Sequence, residues 1–242
     1  MQAATAAVDN GQSLGPSETI QPRALYRIHF YTWTTPNGQK ISTMLEETGL
    51  TYRVIPIDLE KEDQKKADFT AINPNQKIPA IVDHDLDEQP IAIFESGAIL
   101  IHLAERTGQF LPADPAHRAA VLQWLMYQMS HVGPMIGQAG HFANDAPKTQ
   151  PREQLQYATL RFIGESLRIL GVLDATLGRT PYLAGDYSIA DMATYPWVEA
   201  AWRPFSAALP DRVAALPNVK RWLADVAARP AVARGMQVPA VG

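Results

Sequence analysis

The sequence predicts a mixed four-stranded β-sheet domain with helices on both faces, followed by an all-α domain. Two observations carry this. Over residues 24–107, short alternating or β-branched runs are interleaved with runs of helical spacing. Past residue 115 the alternating runs stop and only helical spacing remains. Between them lies a Gly- and Pro-punctuated linker, residues 108–115, which contains Gly108, Pro112 and Pro115. At 242 residues the chain is long enough for two cores of modest size. The expected divisions are an N-terminal extension over 1–23, the sheet domain over 24–107, the linker, and the helical domain over 116–242.

Residues 25–31 are aromatic and alternating, which predicts the first strand. A break over 32–38 follows, and then Ile41, Met44, Leu45 and Thr48 recur at helical spacing until Gly49 ends the helix. Thr35 is the expected N-cap, with Pro36 at the first helical position. Residues 52–57 predict a second strand, and Pro56, which cannot donate to a ladder, puts it at an edge. The charged stretch 58–69 reads as a loop or a short helix with a solvated face.

Residues 78–82 alternate as a short buried strand carrying Pro79 near its start. A cis bond between Ile78 and Pro79 would turn the backbone of Ile78 outward. Its N–H and C=O would then be open to pair with a short peptide. A polar hairpin loop over 83–90 leads to a strand at 91–94 and a helix at 97–106. The first crossover demands parallel strands and the last two strands form a hairpin. This order is the thioredoxin-like arrangement.

In the helical part, Val121, Leu125, Met129, Val132 and Ile136 keep helical spacing, and Gly133-Pro134 predicts a kink or an end. Ile163, Leu167, Leu170, Leu173 and Leu177 mark another helix. Ser188 and Asp191 form an expected capping box. Val219, Trp222, Leu223 and Val226 mark the last clear helix, ended at Arg229-Pro230.

Composition narrows the function classes. Hydrophobic content of 46% and charged content of 19% are those of a globular protein. A net charge of −4 without a block of Lys or Arg argues against nucleic acid or an anionic membrane as partner. No apolar run approaches the length of a membrane span. The first residues lack the basic start and apolar core of a secretory signal, which predicts a cytoplasmic protein with a flexible extension. There is no cysteine, so disulfides and a cysteine nucleophile are excluded. The six histidines show no metal-ligand spacing, and no metal is expected.

The residues around the third and fourth strands describe a ligand site. Ser96 precedes Ile99, Leu100, Leu103 and Ala104 at helical spacing, so it is the expected N-cap of a helix whose free N–H groups suit a carboxylate. Glu95 beside it suits an ammonium group. With the open backbone of Ile78, these describe a site for a small zwitterionic peptide.

The chain resembles the glutathione transferases, in particular the bacterial Nu class and the related fungal nitrogen-regulator prion domains. The resemblance rests on Thr35-Pro36-Asn37-Gly38, Ile72-Asn73-Pro74-Asn75, Lys77-Ile78-Pro79-Ala80-Ile81-Val82-Asp83, Phe94-Glu95-Ser96-Gly97-Ala98-Ile99-Leu100, Gly133-Pro134-Met135-Ile136-Gly137-Gln138 and Gly185-Asp186-Tyr187-Ser188-Ile189-Ala190-Asp191. It implies a thioredoxin-like domain, a helical domain, a homodimer, and glutathione or glutathione disulfide as ligand. It places Asn37, Gln64, Ile78, Glu95 and Ser96 on glutathione, with Gln64 and Lys77 near its glycyl end, and Thr35 facing its sulfur. An acceptor pocket or second glutathione would be met by Trp33, Gln138, His141, Gln156 and Tyr157. Relatives carry an arginine where this chain has Gln156, with Arg152 and Arg161 nearby.

Without a protein thiol, any thiol chemistry uses the ligand's sulfur. Thr35 O–H, the Asn37 amide and free backbone N–H groups at the helix start can all donate to a thiolate, and the helix dipole adds to them. The expected activity is glutathione-dependent disulfide reduction. Conjugation to a small electrophile, peroxide reduction and aryl-ether cleavage are alternatives on the same site, and a non-catalytic glutathione-binding regulator is another.

Overall fold

The computed structural model describes residues 27–84 and 89–240. The extension over 1–23, the first residues of the opening strand and the tip of the hairpin loop lie outside them.

Four strands, β1 (Ile28–Thr32), β2 (Tyr52–Pro56), β3 (Ala80–Asp83) and β4 (Ile91–Phe94), form one sheet in the order β2-β1-β3-β4. β1 runs parallel to β2, and the β1–β3 and β3–β4 pairs are antiparallel. Pro56 does lie on an edge strand. β3 begins at Ala80, two residues later than its alternating pattern predicts. Ile78-Pro79 is a cis peptide leading into the strand, and Pro79 has no N–H for a ladder.

Tyr31, Ala80 and Phe94 lie in one row across the sheet. The chain leaving β1, the chain entering β3 and the chain leaving β4 therefore meet at one end. Thr35 and Asn37, Lys77 and Ile78, and Glu95 and Ser96 come from those three segments, whereas Gln64, Gln138, His141, Gln156 and Tyr157 do not.

Helix α1 (Pro36–Thr48) and helix α3 (Ser96–Thr107) bury Ile41, Met44, Leu45, Leu100 and Leu103 with Ile28 and Phe30 of β1. The short α2 (Ala67–Ile72) covers the other face, where Phe69 packs with Ile57 and Ala80. The larger core continues without interruption into the helical domain through Val121, Leu125, Ile169 and Trp222.

That domain comprises α4 (Pro115–Tyr127), α5 (Gly133–Gly140), α6 (Arg152–Leu177), α7 (Ile189–Ala208), α8 (Pro210–Ala214), α9 (Pro217–Ala227) and α10 (Pro230–Gly235). Gly133 and Pro134 do not end the helix. A wide π-type turn at Gln128–Val132 carries the chain from α4 into α5, with Pro134 directly after it. Pro230 acts twice, stopping α9 and starting α10, which the sequence reading missed.

α10 returns to α1. A Cβ on Gly235 would stand 2.6 Å from the Thr43 backbone, so glycine permits the close approach. Ser42 Oγ donates to the Gly235 carbonyl at 2.7 Å. Arg229 and Arg234 pair with Glu47 and Glu46. These contacts hold α1 from behind while its N-terminus faces the site. No helix among the described residues is long and apolar enough to cross a membrane.

Candidate active site

The start of α1 forms the first wall. Thr35 is extended (φ −143°, ψ 155°) and its Oγ accepts from the Gly38 N–H at 3.2 Å, the expected N-cap. The cap uses a lone pair, so the hydroxyl hydrogen stays available to a second acceptor. A Cβ on Gly38 would fall 2.3 Å from Thr32 Oγ1 and 2.6 Å from the Trp33 carbonyl, so the loop can fold over the helix start only on glycine.

Asn37 follows. Its Oδ1 accepts from the Trp197 indole N–H at 2.9 Å. Indole is a donor only, so this bond fixes which way the amide points and leaves the NH2 as the group offered elsewhere. Gly133 and Gly137 make room for that indole: a Cβ at either would approach it to 3.4 and 3.2 Å.

The second wall is the loop before β3. Asn73 is buried, donates to the Lys77 carbonyl at 2.6 Å and accepts from the Asn75 N–H at 2.9 Å. This turn, with Gln76 at φ 55°, presents Lys77 and Ile78. Among the described residues, the Ile78 N–H and C=O have no backbone partner.

The third wall is the β4–α3 junction, and here one expectation fails. The N-cap of α3 is Glu95, not Ser96, and no side chain caps the helix. Glu95 has φ 68° and ψ 113°, a strained conformation for a residue with a Cβ, costing roughly 1–3 kcal/mol. Ser96 is the first helical residue, and its Oγ is drawn inward to accept from the Lys40 ammonium at 3.1 Å. The first N–H groups of α3 thus remain uncapped, which keeps that end open to an anion.

Lys40 was missed from sequence, because a lysine within an amphipathic helix reads as a solvated residue. It is 1% exposed. Its Nζ donates to Gln128 Oε1 at 2.7 Å and to Ser96 Oγ, and lies 3.6 Å from Met129 Sδ. Burial pushes its pKa down to about 7, against the pull of the nearby Glu95 carboxylate. Gln128 is also fully buried, and its Nε2 has no partner among the described residues.

Asn37, Lys77, Ile78, Glu95 and Ser96 line one cavity of about 250 Å³. Asn37, Lys77, Glu95 and Met129 also border a second, of about 490 Å³, whose far side is made by Lys40, Gln128, Gln138 and Trp197. Trp33, Thr35 and Gln64 do not line either cavity, although Thr35 is two residues from Asn37. Gln64 Oε1 is buried without a partner among the described residues.

His141 and Tyr157 lie away from the pair of cavities, His141 packed edge-on against Phe142 and Tyr157 77% exposed. Gln156 lines a separate cavity of about 380 Å³ together with Arg152. Among the described residues there is no group of three or more His, Asp or Glu that could hold a metal ion.

The site therefore offers an amide donor beside a helix N-terminus, an open strand-like backbone, a carboxylate, and a hydroxyl next to uncapped N–H groups. A small zwitterion suits that set.

Comparison with known proteins agrees. The N-terminal domain of glutathione S-transferase matches residues 27–105, and its C-terminal domain matches residues 156–225. The chain is 45% identical over 214 residues to the disulfide-bond oxidoreductase YfcG of Escherichia coli K12, covering 86% of this chain and 94% of that protein. It is similar to a glutathione transferase family member of Pseudomonas fluorescens pf-5 solved with two glutathiones bound (TM-score 0.83, 43% identity, 90% of this chain and 96% of that one). It is also similar to a glutathione transferase of Pseudomonas putida solved with one glutathione disulfide per subunit (TM-score 0.82, 42% identity, 90% and 94% coverage). The two domain matches fall on the sheet domain and on the helical domain, and the likeness to YfcG spans almost its whole length; the chain belongs to the glutathione S-transferase family.

Proposed function

We propose that this protein is a glutathione transferase of the Nu type that reduces disulfides with glutathione. One observation carries the reading: a chain without cysteine sets the Asn37 amide and the start of α1 on the same cavity as the Ile78 backbone and the Glu95–Ser96 junction. Glutathione paired through its cysteinyl unit with Ile78, and held at its γ-glutamyl end by Glu95 and Ser96, would bring its sulfur to the helix start. Lys77, and Gln64 from the preceding loop, serve the glycyl end. Thr35 O–H and the Asn37 NH2 stabilise the thiolate. The name of YfcG and the glutathione disulfide in the Pseudomonas putida enzyme support this chemistry.

In the reaction, the glutathione thiolate attacks one sulfur of a disulfide. The S–S bond breaks, a mixed disulfide forms, and the second sulfur leaves as a thiolate that takes a proton. A second glutathione thiolate attacks the mixed disulfide, giving glutathione disulfide and the other thiol. The larger cavity, with Gln138 on its rim, would receive the acceptor. Trp33, His141, Gln156 and Tyr157 would act at its edges or on the second glutathione, with Arg152 supplying the cation that Gln156 lacks. Residues 24–107 would supply the glutathione site and 116–242, reached through the linker 108–115, the acceptor side. A cytoplasmic location fits a reaction that consumes reduced glutathione.

The deciding experiment is an assay of the protein with glutathione and, in turn, a small disulfide, a hydroperoxide, a chloronitrobenzene and an aryl ether. Preference for the disulfide is expected. Glutathione binding without turnover on any of them would replace the enzyme by a glutathione-binding regulator.

Glu95→Ala and Ser96→Ala are each expected to weaken glutathione binding by about tenfold to a hundredfold, the worth of a charge-assisted hydrogen bond, with smaller effects on the chemical step. Unchanged affinity by calorimetry in both would place the ligand elsewhere.

A homodimer is also proposed, through the face formed by α3 and the start of the helical domain around Trp124. Phe94 and Met126 are large apolar side chains left exposed in the single chain, which supports a covered surface. Light scattering is expected to give twice the chain mass at micromolar concentration, and a monomer would overturn the assembly.

A further inference from the structure

The reaction above gives Lys40 no part, yet the structure commits three elements to it. Its ammonium, on α1, is held by Ser96 at the start of α3 and by Gln128 and Met129 in the wide turn between α4 and α5. All three partners are neutral. Glu95 is the carboxylate acting on it, Lys77 lines the same larger cavity as a second cation, and Trp197 on α7 is uncharged. A buried ammonium with neutral partners is short of a counter-ion.

The geometry has two effects on the neighbouring cavity. Ser96 Oγ has a single hydrogen, and Lys40 occupies an acceptor direction of that oxygen. While Lys40 is charged, the hydrogen must point away from it, where its protein partner is the Met129 thioether at 3.6 Å, a weak acceptor that a carboxylate readily displaces. The charge of Lys40 also lies directly behind that hydroxyl, so a carboxylate bound at Ser96 would sit one hydrogen bond from a buried cation.

We propose that Lys40 is a positioning residue for the ligand's α-carboxylate, holding the Ser96 hydroxyl as a donor and taking up a proton as the anionic ligand binds. This rests on glutathione as the ligand. In the free protein the ammonium is partly deprotonated near neutrality. A carboxylate at Ser96 favours its charged form and moves its titration to higher pH, so binding draws in a proton between the free and bound values. Affinity then falls as pH rises above about 7.

S-methylglutathione is the probe, because it has no thiol proton to release. Its binding to the intact protein is followed by calorimetry in buffers of different ionisation enthalpy. Uptake of about half a proton is expected at about pH 7.5, and almost none at about pH 5.5. An analogue lacking only the γ-glutamyl α-carboxylate keeps the amine and should draw in no proton. Lys40→Met should abolish the uptake, flatten the pH dependence and bind about tenfold more weakly at about pH 6. Binding of S-methylglutathione to the wild type with no uptake at any pH would overturn the role of Lys40 alone, whether or not the variant folds. Uptake that persists in Lys40→Met, or with the shortened analogue, would also overturn it. No binding of S-methylglutathione would overturn the glutathione reading itself.

Discussion

Asn37→Ala is expected to lower kcat for disulfide reduction by about 30- to 150-fold, with little change in KM for glutathione. A preorganised donor to a charged sulfur in a water-poor site is worth roughly 2–4 kcal/mol. The lower part of that range is expected, about 2–3 kcal/mol, because in the proposed site the Thr35 hydroxyl and the helix N-terminus would act on the same charge. The pKa of the bound thiol, followed by thiolate absorbance in the ultraviolet, should rise in step. Thr35→Ala/Asn37→Ala should lose more than either single change but less than their sum. Trp197→Phe keeps the ring and removes the N–H that orients the Asn37 amide at 2.9 Å. It should reproduce part of the loss in kcat without touching glutathione affinity. Full turnover in Asn37→Ala, with an unchanged bound-thiol pKa, would remove Asn37 from the reaction.

The local backbone features of the candidate site were legible in the sequence. Thr35 and Pro36 announce a helix start, Pro79 announces an altered strand entry, and Glu95-Ser96 announces a strand-to-helix junction; each signal is a backbone requirement confined to a few residues. Asn37 was legible as a donor, but not what holds it, since Trp197 is 160 residues away and nothing local marks it. Lys40 and Gln128 were invisible for the same reason. Their burial is decided by packing of α1 against α3 and the wide turn, and in sequence both read as solvated side chains. Ser96 shows how tertiary structure overrides a local rule: the helix starts one residue earlier than expected, with Glu95 as its N-cap, and the Ser96 hydroxyl turns to the buried ammonium of Lys40. α8 and α10 were missed because short helices starting at proline look like breaks until their tertiary contacts are known.

Asp191→Ala is expected to destabilise the fold by about 3–5 kcal/mol in urea unfolding, because several buried donors would lose their acceptor together. The carboxylate is fully buried and accepts from the Leu183 N–H at 3.1 Å, the Ser188 N–H at 3.1 Å, the Ser188 hydroxyl at 3.3 Å and the Trp222 indole at 2.9 Å. It completes the capping box that starts α7 and ties α7 to α9 through Trp222. Burial pushes its pKa up to about 6 from an ordinary value of 3.8, although these hydrogen bonds pull the other way. The folded state therefore holds the proton more tightly than the unfolded chain. The stability linked to that proton is fully present below the ordinary carboxylate pKa and is lost as pH rises through about 6. Asp191→Asn cannot titrate and isolates the effect. The wild type should gain on Asp191→Asn by up to about 3 kcal/mol as pH falls from about 7 to about 4. Carboxylates such as Glu46 and Glu165, whose pKa values are lowered by Arg234 and Arg168 despite the opposing desolvation of Glu46, weaken both proteins alike over that range and cancel in the difference. A difference that stays flat between those pH values would mean that the four donors keep Asp191 ionised throughout, and that the capping box works as a buried anion.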